Sequence, residues 1–342
     1  MKHFINKLMN KKNLESPEME QCMELIMTGR VNDVEIAAFL TALKIKGETV
    51  SEIAAAARIM RDKTEKVNLN RFYTLDTCGT GGDNQGTFNV STAAAIVAAS
   101  SGIKVVKHGN RSASSLCGSA DVLEELGINI QMSPEQVQES VKSINIGFMF
   151  APIYHKSMKY VAPVRKQLGF GTIFNILGPL SNPALANAQV LGVFHSDLTW
   201  VMASVLRHLG TEHALVVHGA DGMDEISITG PTHVMELKNG KIESYVISPE
   251  DFGLERYRTV DLSGGSKTKN ADIILKLFDG EKGPKRDMLL LNSGAALYAG
   301  KAAEGIKEGI ELAGELIDSG KALKTLQEFI RVSQGFAAVQ PA

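Results

Sequence analysis

The sequence predicts an α/β fold in which a small all-helical domain precedes a larger domain with a mostly parallel β-sheet flanked by helices. Three observations predict it. Residues 1 to 66 carry only helix-type patterns, and from Tyr73 onward short β-type runs alternate with helix-type runs, an order typical of parallel sheets covered by helices. The chain has 342 residues, 44% hydrophobic and 22% charged, which is enough for about two domains with a sizeable core.

Charge and composition exclude several functional classes. The formal net charge of -2 and the pI near 6.5 provide no basic field for nucleic acid. No run approaches the roughly 18 apolar residues of a membrane span, and MKHFINKLMNKK lacks the apolar stretch of a secretory signal. The three cysteines have no metal-binding spacing and are typical of a reduced protein. We therefore expect a cytoplasmic protein without nucleic-acid or membrane partners.

The first predicted domain, residues 1 to 66, consists of helices with recognisable starts. Ser16, Asn32 and Thr49 stand where N-cap residues are expected, and Glu52 completes a capping box after Thr49. Because no acid, base or nucleophile clusters here, we expect this domain to serve as a scaffold or a subunit contact. We also expect helices from about 155 to 180 to join the same domain. One apolar face recurs at helical spacing, formed by Ile36, Phe39, Leu40 and Leu43.

The second predicted domain, residues 67 to 342, contains the sheet. Asn239-Gly240 between two alternating runs predicts a β-hairpin, and the helical C-terminal segments are expected to cover the sheet. Ligands of such sheets bind beyond the carboxyl ends of the strands. The predicted strands are YTLDT, KVVKH, IGFMF, AQVLGVF and HALVVHG, and the helical stretches include SPEQVQESVKSI, DLTWVMASVLRHLG and NADIILKLF.

A glycine-rich loop, within DTCGTGGDNQGTFNVST at residues 76 to 92, follows the first of these strands. Glycine adopts positive φ cheaply and lets an anion reach the main chain, and the helix that follows adds its dipole. A P-loop is excluded because Thr87-Phe88 stands where Lys-Ser/Thr is needed, and the G-x-G-x-x-G pattern ends in Asn84. Side-chain donors at the helix entrance favour phosphate binding over a plain turn; they are Asn89, Ser91 and Thr92.

A second polar segment, KHGNRSASSLCGSAD at residues 107 to 121, ends the next strand. Lys107 and Arg111 bring cations, and Gly109 and Gly118 free the backbone. Several converging charge-assisted hydrogen bonds of roughly 1.5 to 3 kcal/mol each can hold a multiply phosphorylated ligand. The hydroxyl groups of this segment belong to Ser112, Ser114, Ser115 and Ser119.

A third patch, HGADGMDEIS, is acidic and closes the strand HALVV. Asp221, Asp224 and Glu225 fall together there, and carboxylate oxygens suit Mg²⁺, which bridges to substrate phosphates. One donor-rich, one cationic and one acidic patch, each at a strand end, together predict a Mg²⁺-polyphosphate site. No Ser-His-Asp order, HExxH motif or glycosidase carboxylate pair is evident, so the chemistry is expected to use positioning and charge stabilisation.

The motifs GTGGD, NVST, KHGNR, GSADVLE, VAPVRKQLGFGTIFNILGPLSNP and DGMDE, in this order along essentially the whole chain, resemble those of the anthranilate phosphoribosyltransferases. The resemblance implies transfer of the phosphoribosyl group of 5-phosphoribosyl 1-pyrophosphate (PRPP) to the amine of anthranilate in tryptophan biosynthesis, with release of pyrophosphate and with Mg²⁺. It also implies a homodimer formed through the helical domains.

The resemblance also implies roles for individual residues. Ser91, Asp224 and Glu225 occupy the metal positions, and Gly79, Asn110 and Arg165 the anthranilate positions. The chain departs from many members at residues 154 to 160, at Leu116-Cys117 and at Gly171, around the acceptor entrance and hinge. The PRPP-binding positions are Gly79, Gly82, Asp83, Thr87, Asn89, Val90, Ser91, Thr92, Lys107, His108, Gly109, Asn110, Arg111, Ser112, Ala113, Ser114, Ser115 and Ser119.

Two other functions remain open from the sequence. A pyrimidine nucleoside phosphorylase would share the architecture and also cleave at ribose C1, but the DGMDE and VAPVR segments favour the transferase. A binding protein that keeps the PRPP loop without catalysis, such as a nucleic-acid-binding relative, is disfavoured by the acidic net charge. For the transferase we expect a dissociative displacement, in which Arg165 pairs with the anthranilate carboxylate and holds the weakly basic amine in line with C1.

Overall fold

The N-terminal helices begin where the sequence predicts. The structure is a computed structural model, and it describes residues 1–69, 71–83, 85–112 and 116–337. Asn32 and Thr49 cap the third and fourth helices with their side chains. The prediction for Ser16 is wrong, because Glu15 is the N-cap and its backbone N–H donates to Glu18 Oε2 at 2.8 Å. The four helices are α1 (Lys2–Met9), α2 (Ser16–Met27), α3 (Asp33–Lys46) and α4 (Val50–Asp62).

A seven-stranded sheet forms the centre of the described part of the chain, with the order β3-β2-β1-β4-β5-β6-β7. Strands β1 to β5 are parallel, and β6 and β7 pair antiparallel as the predicted hairpin. Its turn residues Asn239 and Gly240 have φ of 51° and 78°, as a two-residue hairpin requires. The strands are β1 (Thr74–Gly79), β2 (Lys104–Gly109), β3 (Ile146–Phe150), β4 (Ala188–Gly192), β5 (His213–Gly219), β6 (Thr232–Lys238) and β7 (Lys241–Ile247).

Helices cover both faces of this sheet. Helices α13 and α15 pack against α5, and α11 packs against β5, β6 and α4. The C-terminal segments are therefore helical and lie over the sheet, as predicted. The helices that follow β1 are α5 (Val90–Ser100), α6 (Ser119–Glu125), α7 (Pro134–Ile144), α8 (Ala151–Tyr154), α9 (Ala162–Leu168), α10 (Phe174–Leu177), α11 (Asp197–His208), α12 (Lys267–Phe278), α13 (Pro284–Ala299), α14 (Ile306–Asp318) and α15 (Lys321–Ala337).

The buried apolar side chains form two clusters, one on each face of the sheet. Alternate residues of β5 show the division, since Leu215 and Val217 join the cluster of α5 and α13 while Ala214 and Val216 join that of α11. The second cluster also contains the apolar residues of α1 to α4, of α9 and of α10. No helix among the described residues has the length and apolar character needed to cross a membrane.

Candidate active site

A cavity of about 560 Å³ opens at the carboxyl ends of β1 and β2, beside the point where the chain order of the sheet reverses between β1 and β4. All three predicted polar patches contribute to its walls. The predicted site residues that line it are Gly79, Gly82, Asp83, Thr87, Asn89, Ser91, Thr92, Lys107, His108, Gly109, Asn110, Arg111, Ser112, Ser119, Asp224 and Glu225.

Two of the predicted residues that the structure describes do not line this cavity. Val90 is buried in the core at the start of α5, and Arg165 lies on α9. Ala113, Ser114 and Ser115 lie outside the described residues. Four lining residues come from outside the three predicted polar segments, namely Asn175, Phe194, Gly265 and Asn270.

The glycine loop is fastened to the acidic patch. The backbone N–H of Gly81 donates to Asp224 Oδ2 at 2.7 Å, and Gln85 Nε2 donates to the carbonyl oxygen of Asp221 at 2.8 Å. A Cβ at Gly79 would stand 2.3 Å from Asp224 Oδ2, so a side chain there would collide with the carboxylate. Glycine at this position lets the first and third patches touch.

Three polar atoms around the loop are buried and have no hydrogen-bond partner among the described residues: Asp83 Oδ2, Asn89 Oδ1 and Thr92 Oγ1. Buried polar atoms are nearly always paired in folded proteins, because leaving one unpaired costs about 1–3 kcal/mol. All three residues line the cavity. This pattern indicates a polar ligand that supplies the missing partners.

Lys107 lies buried beneath the cavity. Its Nζ donates to the carbonyl oxygen of Thr77 and stands 3.5 Å from Ser91 Oγ. Burial lowers the pKa of Lys107, and the charge of nearby Asp76 opposes that shift. The ammonium thus connects β1, β2 and the first turn of α5 at the point where an anion would sit.

Asp76 is a buried carboxylate that the sequence analysis did not single out. Its Oδ1 accepts the backbone N–H of His108 at 3.2 Å and its Oδ2 accepts Asn182 Nδ2 at 2.8 Å. Burial raises the pKa of Asp76 to about 6, against the opposing effect of Lys107. The sequence did contain a signal for Asp76, because an acidic side chain inside the apolar strand YTLDT is expected to be buried and to need hydrogen-bond partners.

The acidic patch carries carboxylates that the protein alone does not neutralise. Burial, followed by the charge of Asp83, raises the pKa of Asp224 to about 7. Burial and the charge of Asp224 raise the pKa of Glu225 well above its usual value. A cation would relieve both effects.

These carboxylates fit a divalent cation held jointly with a substrate. Within the described ranges, no group of three or more His, Cys, Asp or Glu side chains could hold a metal by itself. Mg²⁺ commonly binds through one or two carboxylates plus substrate phosphates. Asp224 and Glu225 could supply such carboxylates, and Asp83 Oδ2, which has no hydrogen-bond partner among the described residues, is a further acceptor in the same cavity.

The cationic segment is ordered by α6. Arg111 donates to both carboxylate oxygens of Glu124, at 2.8 and 2.9 Å, and to Asp121 at 2.9 Å. The other oxygen of Asp121 accepts the backbone N–H groups of Ser112 and Gly118. The charge of Arg111 is therefore balanced by α6, which leaves Lys107 as the more direct cation for an anion in the cavity.

Arg165 lies to one side of the cavity. Its guanidinium carbon stands 5.6 Å from the centre of the Phe174 ring, and the neighbouring Asn175 lines the cavity. Burial lowers the pKa of Arg165. No ion pair joins this guanidinium to a carboxylate in the described part of the chain, so the residue offers a half-buried cation beside an aromatic ring.

Residues 154 to 160, where the sequence departs from many members of the family it resembles, pack behind the cavity. Tyr154 is fully buried and its hydroxyl donates to the carbonyl oxygen of Met132 at 2.9 Å. His155 Nε2 lies 3.2 Å from His108 Nε2, and Tyr160 packs over Gly29, which follows the end of α2. The stretch thus connects the sheet to the N-terminal helices.

Comparison with known proteins agrees with this architecture. The family model described as "Glycosyl transferase family, a/b domain" matches residues 72–323, and that described as "Glycosyl transferase family, helical bundle domain" matches residues 2–64. Fold and site together therefore define a glycosyl transferase composed of a helical bundle and an α/β domain.

The relatives narrow this class. The anthranilate phosphoribosyltransferase of Alkaliphilus metalliredigens is 54% identical over 334 residues, 98% of each chain, and that of Acetivibrio thermocellus is 53% identical over 336 residues, 98% of this chain and 97% of the relative. The crystal structure of the Thermus thermophilus enzyme is 43% identical with a TM-score of 0.91, covering 96% of this chain and 99% of the other. The chain belongs to the anthranilate phosphoribosyltransferase family.

A more distant structure carries ligands. The anthranilate phosphoribosyltransferase of Saccharomyces cerevisiae, described in complex with PRPP and Mg, is 30% identical with a TM-score of 0.89 and covers 97% of both chains. Fold similarity therefore extends to a relative whose named ligands, PRPP and Mg, fit the Mg²⁺-polyphosphate site that the three polar patches predict.

Proposed function

We propose that this protein transfers the phosphoribosyl group of PRPP to the amine of anthranilate, giving N-(5-phosphoribosyl)anthranilate and pyrophosphate in tryptophan biosynthesis. The observation that carries the proposal is the single cavity walled by the glycine loop, by the buried Lys107 and by the carboxylates of Asp224 and Glu225. Family membership selects this reaction among those that such a cavity could serve.

PRPP is proposed to occupy the cavity with its phosphates on the glycine loop and at the start of α5. Backbone N–H groups and the dipole of this 11-residue helix favour phosphate there. Lys107 supplies the buried positive charge. We assign the other PRPP contacts to the cavity-lining positions given above and, from the sequence alone, to Val90, Ala113, Ser114 and Ser115.

Ser91, Asp224 and Glu225, the metal positions that the family resemblance implies, are proposed to hold Mg²⁺; a yeast relative described with PRPP and Mg supports a metal in this cavity. When bound, the ion neutralises charge on the diphosphate, which makes that group a better leaving group. Support comes from the raised pKa values of the two carboxylates, because a cation restores the charged form that burial disfavours.

The chain's own groups are proposed to position the reaction rather than to exchange protons with it. As the C1–O bond breaks, negative charge develops on pyrophosphate, where Lys107 and oriented backbone N–H groups stabilise it. Anthranilate is proposed to contact Gly79 and Asn110, with its carboxylate on Arg165. The half-buried guanidinium without a carboxylate partner in the described chain supports this last assignment.

We further propose a cytoplasmic homodimer joined through the helical domain. The domain would comprise residues 1 to 66 with helices from about 155 to 180, and residues 67 to 342 would form the PRPP-binding domain. Exposed apolar side chains on α1 and α3 support a subunit contact, with Met9, Val34 and Ile45 exposed by 69%, 77% and 75%. Sedimentation equilibrium would test it; a monomer at micromolar concentration would contradict it.

A fluorescence assay tests the reaction. Anthranilate fluorescence should fall when PRPP and Mg²⁺ are both added, and it should persist when either is omitted. Phosphorolysis of thymidine without consumption of PRPP would instead identify a nucleoside phosphorylase. A salt-dependent shift of labelled DNA or RNA with no loss of anthranilate would identify a binding protein.

A further inference from the structure

The side chain of Asn89 has a fixed orientation. Its Nδ2 donates to the carbonyl oxygen of Cys117 at 3.2 Å, and its backbone N–H donates to Asn270 Oδ1 at 3.1 Å. Because a carbonyl oxygen only accepts, the amide nitrogen must face Cys117, and the amide oxygen faces the other way. Asn89 is thus held at two points, by Cys117 at its side chain and by Asn270 at its backbone.

The amide oxygen that results is an acceptor in need of a donor. Asn89 Oδ1 is buried without a partner among the described residues, and Asn89 lines the cavity. The ionised phosphate oxygens of PRPP only accept hydrogen bonds, so they cannot satisfy this atom. The 2- and 3-hydroxyl groups of the ribose are the hydrogen-bond donors that PRPP offers near neutral pH.

The position of Asn89 depends on residues 262 to 270, which the sequence motifs do not include. Asn270 is buried on α12, and its Nδ2 donates to the carbonyl oxygens of Gly265 and Ser266 at 2.9 and 3.1 Å. A Cβ at Gly264 would stand 2.8 Å from the carbonyl oxygen of Thr87. This segment therefore packs directly on the loop that precedes α5.

We propose that Asn89 accepts a hydrogen bond from one ribose hydroxyl and so selects ribosyl over deoxyribosyl donors, and that Asn270 is the positioning residue that holds it there. This inference rests on the proposed function, because it concerns how the same cavity recognises the ribose of PRPP. It predicts that the side chain of residue 89 affects binding through one ribose hydroxyl of the donor and not through the donor's phosphates.

Calorimetry with a carbocyclic, unreactive PRPP analogue and its 2-deoxy and 3-deoxy forms tests the claim, with Mg²⁺ and without anthranilate. Loss of one hydroxyl should weaken binding to the wild type about 10-fold or more, since the buried acceptor is then left unpaired. In Asn89→Ala the same loss should change affinity less than about 2-fold. Thr92→Val is the matched control, because Thr92 Oγ1 can donate to a phosphate: it should weaken all three ligands equally and keep the discrimination.

Asn270 has its own test. Asn270→Asp keeps the oxygen that accepts the Asn89 N–H but loses the donor to the carbonyl oxygens of Gly265 and Ser266, so it should reduce discrimination between the parent and deoxy analogues less than Asn270→Leu does. Asn270→Leu removes that oxygen and should reduce discrimination about 5-fold or more. Discrimination by Asn270→Leu equal to that of the wild type would overturn the positioning role.

The remaining outcomes are also decisive. Equal affinity of the wild type for all three analogues would overturn the inference while leaving the proposed function intact, and this measurement needs no variant to fold. Failure of the wild type to bind the parent analogue would overturn the proposed function and the inference with it. If excess Mg²⁺ restores binding to Asn89→Ala and the hydroxyl discrimination is unchanged, the side chain contacts the metal and the inference is wrong.

Discussion

Two buried acidic sites in this protein differ in how they are neutralised. In the N-terminal helices, Glu52 is fully buried, and its carboxylate accepts the backbone N–H groups of Leu14 and Thr49, both at 2.8 Å, and the ammonium of Lys46 at 2.6 Å. In the cavity, Asp224 accepts one backbone N–H from Gly81. The helical site is complete without a ligand.

The difference separates a structural acid from a binding acid. A buried charge whose lone pairs are all used stabilises one arrangement of the chain. Asp224 and Glu225 instead carry raised pKa values because burial and neighbouring carboxylates disfavour their ionised forms. A bound cation would stabilise the ionised forms of these carboxylates, and the same cation can then bind a polyanionic substrate.

The largest expected effect comes from removing the two cavity charges. In Asp224→Asn with Glu225→Gln, kcat/KM should fall about 1,000-fold or more, because charge stabilisation of the leaving group is lost. The free energy of unfolding without Mg²⁺ should not decrease, because two uncompensated buried acids are neutralised. Turnover across a Mg²⁺ series and urea denaturation measure the two effects. Exposed Asp272→Asn is the control, and normal turnover at low Mg²⁺ would refute the metal assignment.

The second effect concerns the helical acid. Glu52→Ala should lower the free energy of unfolding by about 3–5 kcal/mol, because it leaves the buried ammonium of Lys46 unpaired. Turnover per folded molecule should change little. Glu35→Ala is a matched control, since Glu35 also closes a capping box but is only half-buried, and it should cost about 1 kcal/mol or less. Equal losses for the two variants in urea denaturation would contradict the comparison.

A smaller effect concerns the pH dependence of the free energy of unfolding, and it depends on His155. Burial lowers the pKa of His155 to about 4, whereas the unfolded chain takes up the proton near its usual value. The unfolded state therefore binds more protons between about pH 6.5 and 4, and stability should fall by roughly 3 kcal/mol as pH drops through that window. His155→Asn should flatten this slope in urea titrations, and exposed His195→Asn should not. An unchanged slope in His155→Asn would show that other groups dominate acid unfolding.

The smallest effect concerns the acceptor. Arg165→Ala should raise the KM for anthranilate about 10- to 100-fold, through loss of a charge-assisted pair, with the KM for PRPP changed less than about 2-fold. Steady-state kinetics with each substrate varied in turn measures this, and Lys166→Ala on the exposed side of α9 is the control. Equal losses for both substrates would assign Arg165 a general role in folding or domain contact.

The sequence predicted what is local. Strand and helix positions followed from periodicity, the hairpin from Asn239-Gly240, and the convergence of three polar patches from the rule that parallel strands place their carboxyl ends on one edge. All three patches line the same cavity. Their chemistry was readable because each patch is contiguous in the sequence.

What the sequence could not predict depends on distant pairing. Asn270 looks like an ordinary helix residue until its oxygen meets the backbone of Asn89. Arg111 lines the cavity, but the sequence did not indicate that Glu124 and Asp121 pair with its guanidinium. Such partners are chosen by tertiary packing, which composition and spacing do not encode.

The central strand has a consequence for how the chain folds. β1 pairs with β2 soon after it in the sequence, but its other neighbour is β4, with Leu75 opposite Ala188. During synthesis one edge of β1 therefore waits unpaired until the ribosome has released most of the first two hundred residues. Long-range parallel pairing is slow to form, so the strand that bears the glycine loop gains its full set of neighbours late in biogenesis.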